Sequence, residues 1–258
     1  MQLEGKVAAI SGASRGIGRG IAEAYLREGA RVAISGRSKE KGQQALDEMG
    51  AGENAIFLAG DVRERGDVEA FIDGTVERFG RIDILVNNAG GASNNANVVD
   101  HTDESWMNII ALNVHSTFFA TRRALHHMIP QQYGRIINMS SVEGKHGKPG
   151  ISAYVTSKHA INGFTKACAK EVAGAGITVN CLCPGLVITD QFMSEGPTAA
   201  EAMGITLDEL IQMFVGESAI KRTNTVEEVA AIAVVLATDV AAGITGSLYN
   251  IDGGSAAY

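Results

Sequence analysis

The chain has little of what would tie it to a membrane, a nucleic acid or a disulfide framework. Its three cysteines, Cys168, Cys181 and Cys183, form no Cys-x-x-Cys motif, and an odd count builds no disulfide scaffold, so buried thiols are expected. No apolar run approaches the roughly 20 residues that a bilayer-spanning helix needs. There is no basic excess: the net charge is −7, which disfavours nucleic acid or anionic membrane as the main partner. Met1 leads straight into a strand-like run, without the basic region, apolar segment or cleavage site of a leader, so a cytoplasmic protein is expected. Proline is scarce, at 4 residues against 31 glycines, a balance that suits tight turns in an α/β fold better than a disordered tail. Metal-ligand spacing is also missing. His126 and His127 are adjacent and diverge on a helix, while His101, His146 and His159 stand alone, so no metal is expected.

What is present is a regular alternation. Short β-branched runs predict strands at Val7–Ser11, Arg31–Ser35, Ala55–Ala59, Ile82–Asn87, Arg135–Ser140, Thr178–Leu182 and Ser247–Ile251. Amphipathic segments between them predict helices at Ile17–Glu28, Lys39–Met49, Arg65–Phe79, Ser105–Met128, Tyr154–Ala173 and Thr225–Ala237. Alternation of this kind implies an α/β fold: one Rossmann-like, doubly wound parallel sheet of about seven strands, with helices on both faces, in a single domain over residues 1–258. The segment Gln191–Lys221 breaks the rhythm. Its length and its Phe192, Met193, Met203, Met213 and Phe214 predict an adaptable substrate lid, the alternative being a surface helix pair in an oligomer contact.

Two features carry chemistry. Tyr154 and Lys158 sit four apart, on one face of their helix, with Ser141 upstream. A phenol titrates near pH ~10, and a nearby ammonium favours its ionised form. A serine hydroxyl can hold a carbonyl oxygen while the tyrosine exchanges the proton. The second feature is Ser11-Gly-Ala-Ser-Arg-Gly-Ile-Gly18, between the first strand and the first helix. Gly12, Gly16 and Gly18 allow a tight turn and close approach to a pyrophosphate, and the helix N-terminus offers free N–H groups. Cofactor choice follows from charge. The second strand is followed by Gly36, Arg37 and Ser38 where an acid would select NAD, and Arg15 adds a cation inside the turn. Guanidinium can grip a 2′-phosphate, so NADP(H) is expected.

The Gly-x-x-x-Gly-x-Gly spacing resembles the classical short-chain dehydrogenase/reductase family. So do Asn87-Asn88-Ala89-Gly90, Asn113, the Ser141/Tyr154/Lys158 set, Pro184-Gly185 with Val187 and Thr189, and Asp252-Gly253-Gly254. The matches run in order along the whole chain, and Ser11 in place of the usual Thr keeps the hydroxyl. The resemblance implies that Tyr154 is the acid/base and that Lys158 lowers its pKa and bonds the nicotinamide ribose. It implies that Ser141 orients the carbonyl and that Asn113 holds a water in a proton relay. It assigns the cofactor to Gly12, Ser14, Arg15, Gly16, Ile17, Gly18, Arg37, Ser38, Asp61, Val62, Asn88, Ala89, Gly90, Tyr154, Lys158, Pro184, Gly185, Val187 and Thr189, and it implies a homotetramer. It also makes Val142–Ile151, with His146, one wall of the substrate pocket.

The stretch Ser140–Gly150 is similar to bacterial 3-oxoacyl reductases and polyketide ketoreductases. That implies a small-molecule ketone/alcohol pair, foremost a 3-oxoacyl thioester or similar 3-keto compound. Two positions where carrier-protein reductases place basic residues are Gln132 and Ala175 here, so a CoA thioester or free ketone is as open as a carrier-bound one. Two other readings stand beside it: a dehydrogenase of a cyclic, aromatic or steroid-like secondary alcohol, and a non-catalytic NADP-sensing protein. An intact Asn113, Ser141, Tyr154 and Lys158 argues against the last, because a sensor needs no proton relay.

Overall fold

A computed structural model describes residues 1–92 and 95–256. Seven strands are present: β1 (Val7–Ile10), β2 (Arg31–Gly36), β3 (Ala55–Ala59), β4 (Ile84–Asn87), β5 (Gly134–Met139), β6 (Ile177–Pro184) and β7 (Leu248–Ile251). They form one sheet in the order β3-β2-β1-β4-β5-β6-β7. Every neighbouring pair is parallel. The α/β Rossmann-like expectation therefore holds, and the expected strands lie within a few residues of the observed ones.

The helices are α1 (Gly16–Arg27), α2 (Lys39–Met49), α3 (Arg65–Phe79), α4 (Asp103–Ile110), α5 (Ser116–Gln131), α6 (Ser152–Val172), α7 (Asp190–Ala202), α8 (Leu207–Glu217) and α9 (Val226–Ala237). Strand residues two apart share a face of the sheet, and the core divides accordingly. Ala8 and Ile10 join α1 and α9 through Ile21, Tyr25, Val229 and Ala233. Val7 and Ala9 join α3, α5 and α6 through Phe71, Ala124 and Cys168. Helices thus cover both faces, as continuous apolar strands require. All three cysteines are buried and free, as expected.

One expectation needs correction. The predicted helix Ser105–Met128 is interrupted: Ala111–His115 is a π-helical turn between α4 and α5. Asn113 lies at its centre and explains it. Its side-chain Nδ2 donates to the Ile109 carbonyl at 2.9 Å, taking over an acceptor that the widened turn leaves. The segment 191–221 contains the helix pair α7–α8, each helix started by a threonine, Thr189 and Thr206.

At the opposite end of the sheet, Asp83 is fully buried and accepts the Val7 N–H at 2.9 Å, with Arg81 at 2.6 Å on its other oxygen. Replacing Asp83 with Ala orphans that N–H beside β1. The expected cost is about 2 kcal/mol, and calorimetry should register a melting temperature lower by about 5 °C.

Candidate active site

The C-terminal ends of β1, β2, β4, β5 and β6 lie along one edge of the parallel sheet, and the loops leaving them build the site. After β1 the chain turns through Gly12 at φ +63° and Gly16 at φ +59°, which a side chain rarely tolerates. A Cβ on Gly12 would stand 2.9 Å from the Ala89 backbone. Ser11, the substituted position, uses its hydroxyl to accept from the N–H groups of Asn88 and Ala89 at 3.1 and 3.0 Å. The Asn88 side chain donates to the carbonyls of Ser11 and Gly12 at 2.9 and 3.1 Å. Asn88 therefore braces the glycine turn.

Beside this turn lies a small cleft lined by Ser35, Gly60, Asp61, Val62 and Phe71 among others. Asp61 is engaged by Arg63, whose Nε lies 3.0 Å away, and those hydrogen bonds hold its carboxyl below the usual range. Ser35 also lines this cleft, and its Oγ is buried without a hydrogen-bond partner. Arg37 is exposed and close enough to Asp61 to lower its pKa further. Arg15 precedes α1 in extended backbone. Among the described residues neither Arg15 nor Arg37 enters an ion pair. Ser38 is occupied differently: its hydroxyl caps α2 by accepting from Lys41 N–H and donates to Glu40 at 2.8 Å. A polyanion bound there would have to draw Ser38 away from Glu40.

On the far side of the turn, Thr189 packs its methyl 3.5 Å from where a Cβ on Gly16 would stand. Val187 is buried and bridges to Asn224. Pro184 ends β6, and Gly185 passes the backbone of Asp252 so closely that a Cβ would come within 3.0 Å of it. Asp252 in turn accepts the N–H groups of Gly254 and Ala256, both at 2.9 Å.

The expected chemical residues are brought together. Lys158 on α6 is 3% exposed, and its ammonium donates to the Met139 carbonyl at 2.9 Å. It lies 5.3 Å from the centre of the Tyr154 ring. A Cβ on Gly90 would stand 2.6 Å from Asn113 Oδ1 and 3.3 Å from Lys158 Nζ. The Asn113 amide also exchanges hydrogen bonds with Gly91, accepting its N–H at 3.1 Å and donating to its carbonyl at 3.0 Å. Ser141 accepts the Glu143 N–H at 3.1 Å.

Burial dominates the electrostatics of this pair. Burial pushes the phenol up to about 12; Ser141 pulls it down and the carboxylate of Glu143 pushes it further up. Burial also pushes Lys158 down to about 8. The ammonium faces the Met139 carbonyl, and both groups lose solvation, which disfavours the charged form of each.

Sequence reasoning missed Glu143. It is buried, with His146 Nε2 3.1 Å from Oε2 and Lys148 Nζ 3.6 Å from Oε1. The signal was an acid two residues after Ser141, in the stretch read as a pocket wall. His146, discounted as isolated, is its neighbour. Among the described residues no group of acids, histidines and cysteines is arranged to hold a metal, and no helix is long and apolar enough to cross a membrane.

Comparison with known proteins gives concordant results. The short chain dehydrogenase profile matches residues 6–200. D-beta-hydroxybutyrate dehydrogenase of Cupriavidus necator is 36% identical over 254 residues, covering 98% of each chain. The 3-oxoacyl-(acyl-carrier-protein) reductase FabG of Escherichia coli is 38% identical over 255 residues, again covering 98% of each. The crystal structure of a point variant of actinorhodin polyketide ketoreductase with NADPH superimposes with a TM-score of 0.93 at 34% identity, over 100% of this chain and 99% of that one.

Alanine at Gly12 would meet both a disfavoured positive φ and the Ala89 backbone. Fluorescence titration of that variant should show nicotinamide dinucleotide binding weakened by at least about tenfold.

Proposed function

The chain belongs to the short-chain dehydrogenase family, and from that premise we propose that it reduces a 3-oxoacyl thioester or similar 3-keto compound with NADPH, in a reversible ketone/alcohol reaction. The observation that carries this reading is the convergence of Gly90, Asn113 and Lys158 at one point beside Tyr154. The residues fit the cofactor: the glycine turn admits a pyrophosphate, Ser35 Oγ awaits a partner in the adjoining cleft, and two arginines without carboxylates suit a 2′-phosphate. When bound, the nicotinamide supplies the hydride. Gly12, Ser14, Gly16, Ile17 and Gly18 would hold the pyrophosphate end, Asp61 and Val62 the adenine, and Pro184, Gly185, Val187 and Thr189 the nicotinamide end.

The chain's own residues supply the rest. Ser141 gives a hydrogen bond to the substrate carbonyl oxygen. Tyr154, neutral at physiological pH, transfers its proton to the same oxygen as negative charge develops there. The Lys158 ammonium then stabilises the phenolate, and Asn113 keeps the water through which the proton is replaced. In the oxidation direction the order is reversed.

Two observations shape the substrate. Gln132 and Ala175 carry no charge, and the Gln132 carbonyl lies 2.5 Å from where a Cβ on Gly176 would stand, so the two neutral positions flank one patch. A basic dock for an acidic carrier is missing there, which favours a CoA thioester or free ketone. Met193, Met203 and Met213 on or beside α7–α8 are about half exposed, an adaptable apolar surface that suits the lid reading of 191–221. The same surface favours, as second reading, a cyclic or aromatic secondary alcohol. A homotetramer is part of the proposal: Ala160, Gly163 and Ala167 are exposed along α6, so this small-residue face is no part of the core.

Steady-state oxidation of NADPH with acetoacetyl-CoA tests the reaction, and Tyr154→Phe should lower kcat about a thousandfold while NADPH still binds. Failure of acetoacetyl-CoA with tight NADPH binding would transfer the assignment to cyclic ketones. Arg37→Ala should weaken NADPH by at least about tenfold and leave NADH unchanged; equal loss of both would overturn the choice of NADP. The pH dependence has a defined sign. Lys158 acts as the cation and titrates at about 8, so kcat/KM for reduction should be full below that pH and fall as pH rises through it. Tyr154, at about 12, stays protonated throughout this window.

A further inference from the structure

The helix pair α7–α8 carries several of the chain's exposed or half-exposed large apolar residues but has few polar ties to the body. Thr189 and Lys221 adjoin its two ends and bond to it locally. Beyond these, among the described residues, one side chain from elsewhere in the chain makes hydrogen bonds or an ion pair to residues 190–217. That side chain is Lys148, in the wall between Ser141 and Tyr154. Its Nζ lies 3.3 and 3.4 Å from the two carboxylate oxygens of Glu217. It sits 3.7 Å from the centre of the Phe214 ring, on the same helix. On the other side it lies 3.6 Å from Glu143 Oε1.

Glu143 is not a surface acid. Its side chain is 6% exposed, and its backbone N–H holds the Ser141 hydroxyl oxygen. The chain of contacts therefore runs from α8 through Lys148 to Glu143 and on to Ser141. Each link is short, and two are ionic. Phe214 and Glu217 lie three apart on one face of α8 and grip one ammonium from two directions. His146 is the other titratable group on Glu143, at 3.1 Å, and Lys145 the other cation of this wall.

We propose that Lys148 is a positioning residue, the latch that fastens α8 over the active site and couples its seating to the wall bearing Ser141. The proposal rests on the reading of α7–α8 as the substrate lid. A partly exposed ammonium shared by two carboxylates and a ring is strong enough to bias a lid and weak enough to release it. Its ionic part is screened by salt.

The test uses Lys148→Met, which keeps an apolar stem against Phe214 and removes the charge, with Lys148→Arg as the conservative variant and Glu217→Gln as its partner. KM for acetoacetyl-CoA should rise about tenfold in Lys148→Met, with kcat changed less than about threefold and the NADPH dissociation constant unchanged. Wild-type KM should rise with ionic strength, and the Met variant's should not. Limited proteolysis within 190–217 should accelerate in Lys148→Met and in Glu217→Gln to the same extent, with no further gain in the double variant, and Lys148→Arg should restore wild-type behaviour. Wild-type proteolysis rates in Lys148→Met, or additive effects in the double variant, would overturn the latch. Proteolysis needs no substrate, so the latch can stand if acetoacetyl-CoA is not turned over, a result that would defeat only the proposed reaction.

Discussion

A buried ammonium sets the terms for the rest of this structure. Lys158 is almost wholly removed from solvent, and an ammonium taken out of water costs several kcal/mol unless polar groups replace the lost hydration. The replacement comes from parts distant in sequence. Met139 at the end of β5 offers its carbonyl, and Gly90 after β4 leaves the space that a methyl group would fill. Ser140 Oγ donates to the Lys158 carbonyl at 3.1 Å and pins that turn of α6. A parallel sheet with β4 and β5 adjacent delivers these ends side by side. The same burial that depresses the lysine raises the tyrosine, so one environment keeps an acid protonated and poises a cation near neutrality.

Charge is distributed against the overall sign of the molecule. The chain carries an excess of acid, yet its cofactor end presents cations. Arg19, Arg63, Arg65, Arg81, Arg123, Arg135 and Arg222 each hold a carboxylate. Arg15 and Arg37 hold none among the described residues, and both lie beside the glycine turn or the cleft next to it. An arginine already paired gives little to an incoming anion, because the gain is offset by the bond it loses. On the proposed NADP reading, the position of these two cations, not the net charge, would be what attracts the phosphate.

Much of this was legible in the sequence because the signals are local. Strands showed as β-branched runs, and α2 and α3 began and ended where the pattern placed them. The glycine turn and the Tyr154/Lys158 spacing depend on residues a few positions apart. What was not legible depends on burial or on contacts across the fold. The π turn at Ala111–His115 arises because Asn113 must reach both Ile109 and Gly91, and no helical periodicity encodes that. The direction of the Tyr154 shift depends on how deeply α6 is packed, which the four-residue spacing to Lys158 does not state. The helix cap made by Ser38 and the brace that Asn88 gives the glycine turn are likewise contacts that spacing does not state.

The segment after β6 follows a different logic from the core. Most elements of the body are joined by buried aliphatic contacts that no single residue controls, so they move together or not at all. In α7–α8 the buried residues are few: Gly196 and Ala200 on one helix, Leu210 on the other. An element with so little buried apolar area has a low local stability, and its position is set by whichever polar contacts it makes. Those contacts converge on the wall that also presents Ser141. A ligand entering beneath α8 would meet apolar side chains from the helix pair and polar groups from the wall, and its shape would act on both. On the proposed reading, selectivity for the substrate and placement of Ser141 would be mechanically joined, whereas the nucleotide end would be built into the sheet.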